Sequence, residues 1–269
     1  MKKYLLKRVA TSLLTILGIV VVVFFIVRVL PGDAAAVRAG PYANQEMIDR
    51  IADKYGLNDP LRVQFVDYVS GVAQGDLGVS IRTNQSVTRE LLDRLPASLE
   101  LAVYSVILAT AVGVSLGVLS AHRQNTWIDR LSRIFAVVGS AMALFWLGLL
   151  LTFFFAFKWR WFPGPVDRLA VGSEDPGTFT GFYTIDGILS GRPDITVEAF
   201  RYLALPVITL AFVLAAPILK MVRSAMIEAL ESDFVRTAKA VGVPRTQILL
   251  VDGFRNALIP VTTTIGIVF

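Results

Sequence analysis

Four uncharged apolar runs decide what this chain can fold into. Val9–Val27 holds 19 residues without a charge, Leu101–Ala121 holds 21, Ile134–Phe157 holds 24 and Tyr202–Leu219 holds 18. Crossing the hydrocarbon core of a bilayer as a helix takes roughly 20 apolar residues, so each run is read as a membrane span. A fifth run, Ala257–Phe269, has 13 residues and is read as a span cut short. The expected fold class is an all-α polytopic membrane protein. Composition agrees: 55% of the 269 residues are hydrophobic, a share that soluble domains rarely reach.

The first run follows Lys2, Lys3, Lys7 and Arg8, the basic start of a secretory leader, and Ala34–Ala36 has the form of a cleavage site. The apolar stretch is longer than a leader core, and Arg28 with Pro31–Asp33 separates it from those alanines, so it is expected to stay as a span. There is no cysteine and one histidine, His122, which excludes disulfides, thiolate chemistry and multi-histidine metal sites. The net charge of +5 fits basic loops at one membrane face and gives no reason to expect nucleic acid.

Lysine and arginine set the orientation. With the N-terminus in the cytoplasm, the short inner segments hold Lys2, Lys3, Lys7, Arg8, Arg123, Arg130, Arg133, Lys220, Arg223, Arg236, Lys239, Arg245 and Arg255. Their acids are Asp129, Glu228, Glu231, Asp233 and Asp252, whereas both outer loops carry more acids than bases. This is the positive-inside pattern. The expected organisation is 1–30 as tail and first span, 31–97 as an external helical domain, and 98–269 as the main membrane domain. Within the last lie spans at 101–121, 134–157 and 202–219, a partial span at 257–269, an external loop at 158–201 and a cytoplasmic hairpin at 220–256.

The external segments have local structure of their own. Asn44 caps a helix that ends at Gly56, with Ile48, Ile51, Ala52 and Tyr55 on its apolar face. Pro60 opens a second helix that buries Val63, Phe65, Val66 and Val69. Gly75–Gly78 reads as a turn, and Ser86 caps a third, short helix through Leu95. The later loop is rich in Gly, Pro and Asp, with one short helix near Ile185–Leu189. These segments suit either docking of an external partner or a lid over the spans.

The four complete spans contain no Asp, Glu, Lys, Arg or His. Arg28, Glu100 and Arg201 stand at outer edges, and Lys220 and Arg223 at an inner one. Ion-driven carriers place ionisable groups within the bilayer, so this pattern speaks against a self-powered carrier. Pro217 and Pro260 fall near span ends, where a proline bends a helix statically or serves as a hinge. The chain has no G-x-x-x-x-G-K-[ST] nucleotide loop, and its "LSGR", Leu189–Arg192, lies in an outer loop.

One polar stretch interrupts the apolar pattern. Ser232 or Asp233 caps a helix running to Val241, in which Phe234, Ala238 and Val241 form one apolar stripe while Arg236 and Lys239 point elsewhere. Gly242 supplies the left-handed position after the helix, and Pro244 opens the next one, whose apolar side is Ile248, Leu249, Val251 and Phe254. Such a hairpin suits insertion into a groove of a cytoplasmic partner; periodicity equally permits an interfacial helix resting on lipid headgroups.

This hairpin resembles the cytoplasmic coupling loop of type I ABC importer permeases, whose motif reads E-A-A-x-x-x-G. Ala238 and Gly242 stand at the last Ala and the Gly, Arg236 and Thr237 replace the Glu and first Ala, and the later I-x-L-P reads Asp252–Arg255 here. The chain is more similar to the dipeptide/oligopeptide/nickel permease branch, through R-T-A-x-x-x-G (Arg236–Gly242) and "RNALIP" (Arg255–Pro260). Further matching segments are "RVLPGD" (Arg28–Asp33), "YGLNDPLRVQF" (Tyr55–Phe65), "GDLGVS" (Gly75–Ser80), "RLPASLEL" (Arg94–Leu101) and "LALPVITLA" (Leu203–Ala211). They cover nearly the whole chain in order.

The resemblance implies a type I ABC importer permease fold with a helical external domain between spans 1 and 2, and six spans in the family pattern. It implies a multi-pass protein of a bacterial or archaeal inner membrane that performs no covalent chemistry and takes no cofactor. Its partners would be a second homologous permease subunit, two cytoplasmic ATPase subunits and an external solute-binding protein, all within membrane lipid and without nucleic acid. Coupling to the ATPase would fall on Phe234, Ala238, Val241, Gly242 and Pro244. Gly242 would bend the hairpin, Ala238 would permit close approach, and Phe234 with Val241 would fill the partner's groove. The cargo would be di- or oligopeptides or a related small solute. Two other classes remain at this point: an ion-coupled carrier or channel working alone, and a non-transporting anchor or sensor.

The orientation is checked with single cysteines, which the native chain lacks. A membrane-impermeant thiol reagent added from outside is expected to label Asn58→Cys and to miss Arg245→Cys; the opposite pattern reverses the topology.

Overall fold

The computed structural model describes all residues except 1, 30–33, 41, 81, 166, 174–175, 178, 245–246 and 269. The chain divides into two compact units, Met1–Arg94 and Leu95–Phe269.

In the first unit, helix α1 (Lys2–Val29) is 28 residues long. Only 6% of its most apolar window is buried, and Leu13, Leu14 and Ile16 are more than half exposed. That surface suits lipid and not water. Three shorter helices follow: α2 (Ala34–Ala39), α3 (Gln45–Lys54) and α4 (Leu61–Ala73). Asn44 caps α3 as its sequence predicts, its side chain accepting the Met47 N–H at 2.9 Å. Gly56, at φ +58°, closes the helix so that the Leu57 N–H reaches the Ala52 carbonyl at 2.8 Å. Helix α4 departs from expectation. Val63 and Val66 are exposed, while Phe65 and Tyr68 turn inward onto Phe24, with ring centroids 5.2 and 5.7 Å away. A helix has one inward stripe; residues 65, 68 and 69 occupy it, and 63 and 66 lie on the opposite flank.

Helix α5 (Val87–His122) is 36 residues long and runs through Pro96 without a break. The expected short helix ending at Leu95 is therefore the first part of this longer one. A proline removes a single backbone bond, which a long helix tolerates when its neighbours hold it. Here the Pro96 ring fills the space beside Gly181, where any Cβ would stand 2.5 Å from the ring.

The second unit is organised around α9 (Pro193–Glu231), a 39-residue helix continuous through Pro206 and Pro217. Helices α6 (Trp127–Ala141), α7 (Leu144–Leu151), α8 (Tyr183–Leu189) and α11 (Phe254–Val268) pack on it. Helix α5 reaches it through a stripe of small residues at every fourth position: Ser105, Ala109, Gly113, Gly117 and Ala121, all buried. A Cβ on Gly113 would lie 2.9 Å from the Ile218 side chain, and one on Gly117 2.6 Å from Val222. Gly139 brings α6 equally near, with Ala216 at 3.1 Å from its virtual Cβ. Small residues at such contacts let backbones approach closely in a membrane, where burial from water no longer drives helices together. Ala215, Ile218, Val222 and Met226 of α9, with Ala257 and Val261 of α11, complete this core.

The run Ile134–Phe157, expected as one span, is two helices. Met142 and Ala143 adopt extended backbone between α6 and α7, which meet at 107°. Beyond α7 the chain continues as a π-helical segment, Thr152–Lys158, whose rings gather with Trp159 and Trp161.

One charged cluster ties three helices together. Asp129 of α6, fully buried, accepts two bonds from the Arg223 guanidinium of α9 at 2.8 and 3.1 Å. The Ser120 hydroxyl of α5 donates to it at 2.5 Å, the Asn125 N–H at 3.1 Å, and Arg133 stands 3.6 Å away. A bidentate arginine and two further donors satisfy the carboxylate fully.

Two substitutions test this packing in detergent-solubilised protein. Gly117→Val drives a side chain into Val222 and is expected to lower stability by about 1–3 kcal/mol, read as a fall in the thermal unfolding midpoint. Asp129→Ala leaves Arg223 without its carboxylate and is expected to cost roughly 3–5 kcal/mol; an unchanged midpoint would show that the cluster is dispensable.

Candidate coupling site

Helix α9 ends at Ser232, whose extended backbone (φ −66°, ψ 156°) turns the chain into α10 (Asp233–Ala240). Ser232 occupies the N-cap position, but its hydroxyl donates back to the Ala229 carbonyl at 2.5 Å, so no side chain caps α10. The far end is fully closed. Gly242 has φ +83°, its N–H bonds the Lys239 carbonyl at 3.2 Å, and the Val243 N–H bonds the Ala238 carbonyl at 3.0 Å. These two bonds define a Schellman closure, and the left-handed residue it needs is the one glycine adopts without strain. The Pro244 carbonyl then accepts from the N–H groups of Gln247 and Ile248, starting the next helical stretch. Its first regular part, Ile248–Gly253, is π-helical and leads into α11.

The hairpin is anchored on one side and open on the other. Val235 is fully buried and Ile248 nearly so. Gly253 sits against Met226 and Leu230, with the Leu230 side chain 3.2 Å from where a Cβ would stand. On the other side Phe234 is 46% exposed and Val241 73% exposed. Ala238 is half-buried, Gly242 and Pro244 are exposed, and nothing lies within 4 Å of a Cβ built on Gly242. Residues 234, 238 and 241 share one helical stripe, on which Phe234 and Val241 form an apolar ridge that this chain leaves uncovered, and Gly242 and Pro244 belong to the turn that follows. Arg245 and Thr246 lie outside the described residues.

The anchor was missing from the sequence reading. Val235 lies beside the apolar stripe and carries no periodic signal of its own. The Asp129–Arg223 pair joins residues 94 positions apart, and each charge looks like an ordinary loop charge in the sequence. Glu100, expected at a span boundary, is fully buried. Its carboxylate accepts the Arg168 guanidinium at 2.6 Å and the Thr184 N–H at 2.9 Å, fastening the 158–201 segment to α5. The one signal that the sequence did carry is the four-residue spacing of small residues along α5.

Among the described residues no group of His, Asp or Glu is placed to hold a metal ion. The hairpin is closed at Gly242 and follows directly on the end of α9.

Residues 113–269 match the family described as "Binding-protein-dependent transport system inner membrane component", and residues 1–102 its N-terminal companion, "Binding-prot-dependent transport system membrane comp, N-term". The chain is 41% identical over 254 residues to the probable D,D-dipeptide transport system permease protein DdpB of Escherichia coli, covering 94% of this chain and 74% of that one. It is 36% identical to the dipeptide transport system permease protein DppB of Alkalihalophilus pseudofirmus, covering 99% and 80%. It is 34% identical to the glutathione transport system permease protein GsiC of Salmonella typhimurium, covering 100% and 78%. Transport components of this kind work with an ATPase and a solute-binding protein, which sets aside a carrier working alone, an anchor and an enzyme. The chain belongs to the inner-membrane permeases of binding-protein-dependent ABC importers, in their dipeptide/oligopeptide family.

Proposed function

We propose that this permease imports di- or oligopeptides and that its α10 hairpin couples transport to ATP hydrolysis. In this reading the N-terminus and the hairpin face the cytoplasm, 31–97 and 158–201 face outward, and a second homologous permease completes the pathway. Two ATPase subunits each receive one hairpin. The cargo is supported by the relatives, which are named for dipeptides and glutathione. The organisation into an external domain at 31–97 and a membrane domain at 98–269 rests on the same topology.

The observation that carries the coupling role is the ridge itself. Phe234 and Val241 are large apolar side chains held out of the chain's own core by a helix that is anchored through Val235. A hairpin that transmits force needs a closed end, because a frayed one would absorb the displacement, and the turn at Gly242 supplies it. Closure of the ATPases would move α10, and α9 would carry the movement into the spans as a rigid-body rocking.

The turn is tested in the assembled transporter. Gly242→Val places a β-branched side chain at φ +83° and strains the backbone by roughly 1 kcal/mol or more. Gly242→Asn places there the residue that tolerates this conformation best after glycine. ATPase co-purification, or hydrolysis stimulated by loaded solute-binding protein, is expected to fall in Gly242→Val and to persist in Gly242→Asn. Wild-type assembly and stimulation in both variants would show that the hairpin is not the coupling element.

A further inference from the structure

The outward side of α9 changes character along its length. Over its last four turns, Pro217, Lys220, Met221, Ser224, Glu228 and Glu231 are all exposed. They recur at spacings of three and four and so fall on one stripe. The opposite stripe, Ile218, Leu219, Val222, Met226 and Ala229, is buried. The exposed side carries a cation, a hydroxyl and two carboxylates. A flank in contact with acyl chains would not carry a cation and two carboxylates; over Val9 to Ile26 the exposed residues of α1 include hydroxyls but no charge.

Lys220 is the deepest charge on this stripe. Its ammonium donates to the Ser140 hydroxyl of α6 at 2.8 Å, and no carboxylate pairs with it among the described residues. Ser140 lies two residues before the extended break at Met142 and 13 residues along α6 from Trp127, about 20 Å of helix. Trp127 is 69% exposed at the start of α6, where an aromatic ring marks the membrane–water boundary. With α6 read as crossing the membrane from Trp127, the ammonium stands about 20 Å along that span, more than a turn inside the Ile134 edge that the sequence alone assigns to it, beside a broken helix and with a neutral partner only. Charges at that depth mark substrate pathways, and broken helices line them.

From this juxtaposition we infer that the stripe Lys220–Ser224–Glu228 lines the inner half of the solute path, and that Lys220 is the cationic station meeting the carboxylate of the passing peptide. Ser140 holds the ammonium in place between solutes. The assignment of the carboxylate rests on the peptide reading above; the aqueous nature of the stripe does not.

The experiment uses the full transporter with its ATPase and solute-binding protein. A charged, water-soluble thiol reagent is applied to Lys220→Cys, Ser224→Cys and Val137→Cys, the last 62% exposed on the apolar flank of α6. Labelling of the first two but not the third is expected. Failure to label Lys220→Cys would overturn the path, whether lipid or another subunit covers the stripe. Peptide uptake is then compared in Lys220→Arg and Lys220→Gln, with ATPase co-purification as the control for assembly. Arginine keeps the charge and is expected to keep uptake. Glutamine keeps a donor for Ser140 without the charge and is expected to lose roughly tenfold, the worth of one charge-assisted contact. Equal uptake in both variants would overturn the station. If Lys220→Cys labels and the wild-type transporter carries no peptide, the cargo reading fails while the path stands.

Discussion

Close approach of backbones is the constraint on which the second unit rests. In lipid, helices gain nothing from hiding apolar side chains from water, so they associate through close packing and interhelical hydrogen bonds. Gly113 and Gly117 of α5 and Gly139 of α6 each place a helix backbone where a Cβ would collide with α9. Ile218 and Val222 of α9 enter the grooves opened by the α5 glycines, and Phe135 of α6 packs edge-on against Phe212 of α9. A single added methyl group on the wrong side forces two backbones apart, and with them everything attached further along.

The second consequence is that the polar groups are sorted by depth and by role. Asp129 and Arg223 satisfy each other where α5, α6 and α9 converge, and Glu100 does the same with Arg168 at the other end of α5. A buried pair of this kind contributes little net stability compared with apolar packing, but breaking it is costly, so it specifies which helix faces meet. The open stripe of α9 differs because its charges have been left without partners of opposite sign within the described chain. Closed networks define the scaffold, and open charges define what the scaffold handles.

Much of this architecture is written in the sequence. Runs without charge announce spans because one ion in lipid outweighs many apolar contacts, and Asn44 and Gly56 announce their helix because caps are local chemistry. The 107° break at Met142 was not legible: the residues on both sides are apolar, and composition stays uniform across the bend. The run through Pro96 was hidden for the opposite reason, since proline signals a stop that tertiary packing against Gly181 overrides. At the coupling site the ridge could be read from period and turn chemistry. Its anchor Val235 could not, because which flank of a short helix turns inward depends on the surface beneath it.

Helix α9 spans 39 residues, about 58 Å from end to end. Its starting end bears Pro193 and packs with α8, and its finishing end bears α10. A body of that length works as a beam: tilting it by one degree displaces the far end by about 1 Å. Pro206 and Pro217 each delete one backbone hydrogen bond from the beam, which makes it more compliant at two known stations without severing it. Stroke and stiffness are thus set independently, the first by the number of residues and the second by the two prolines.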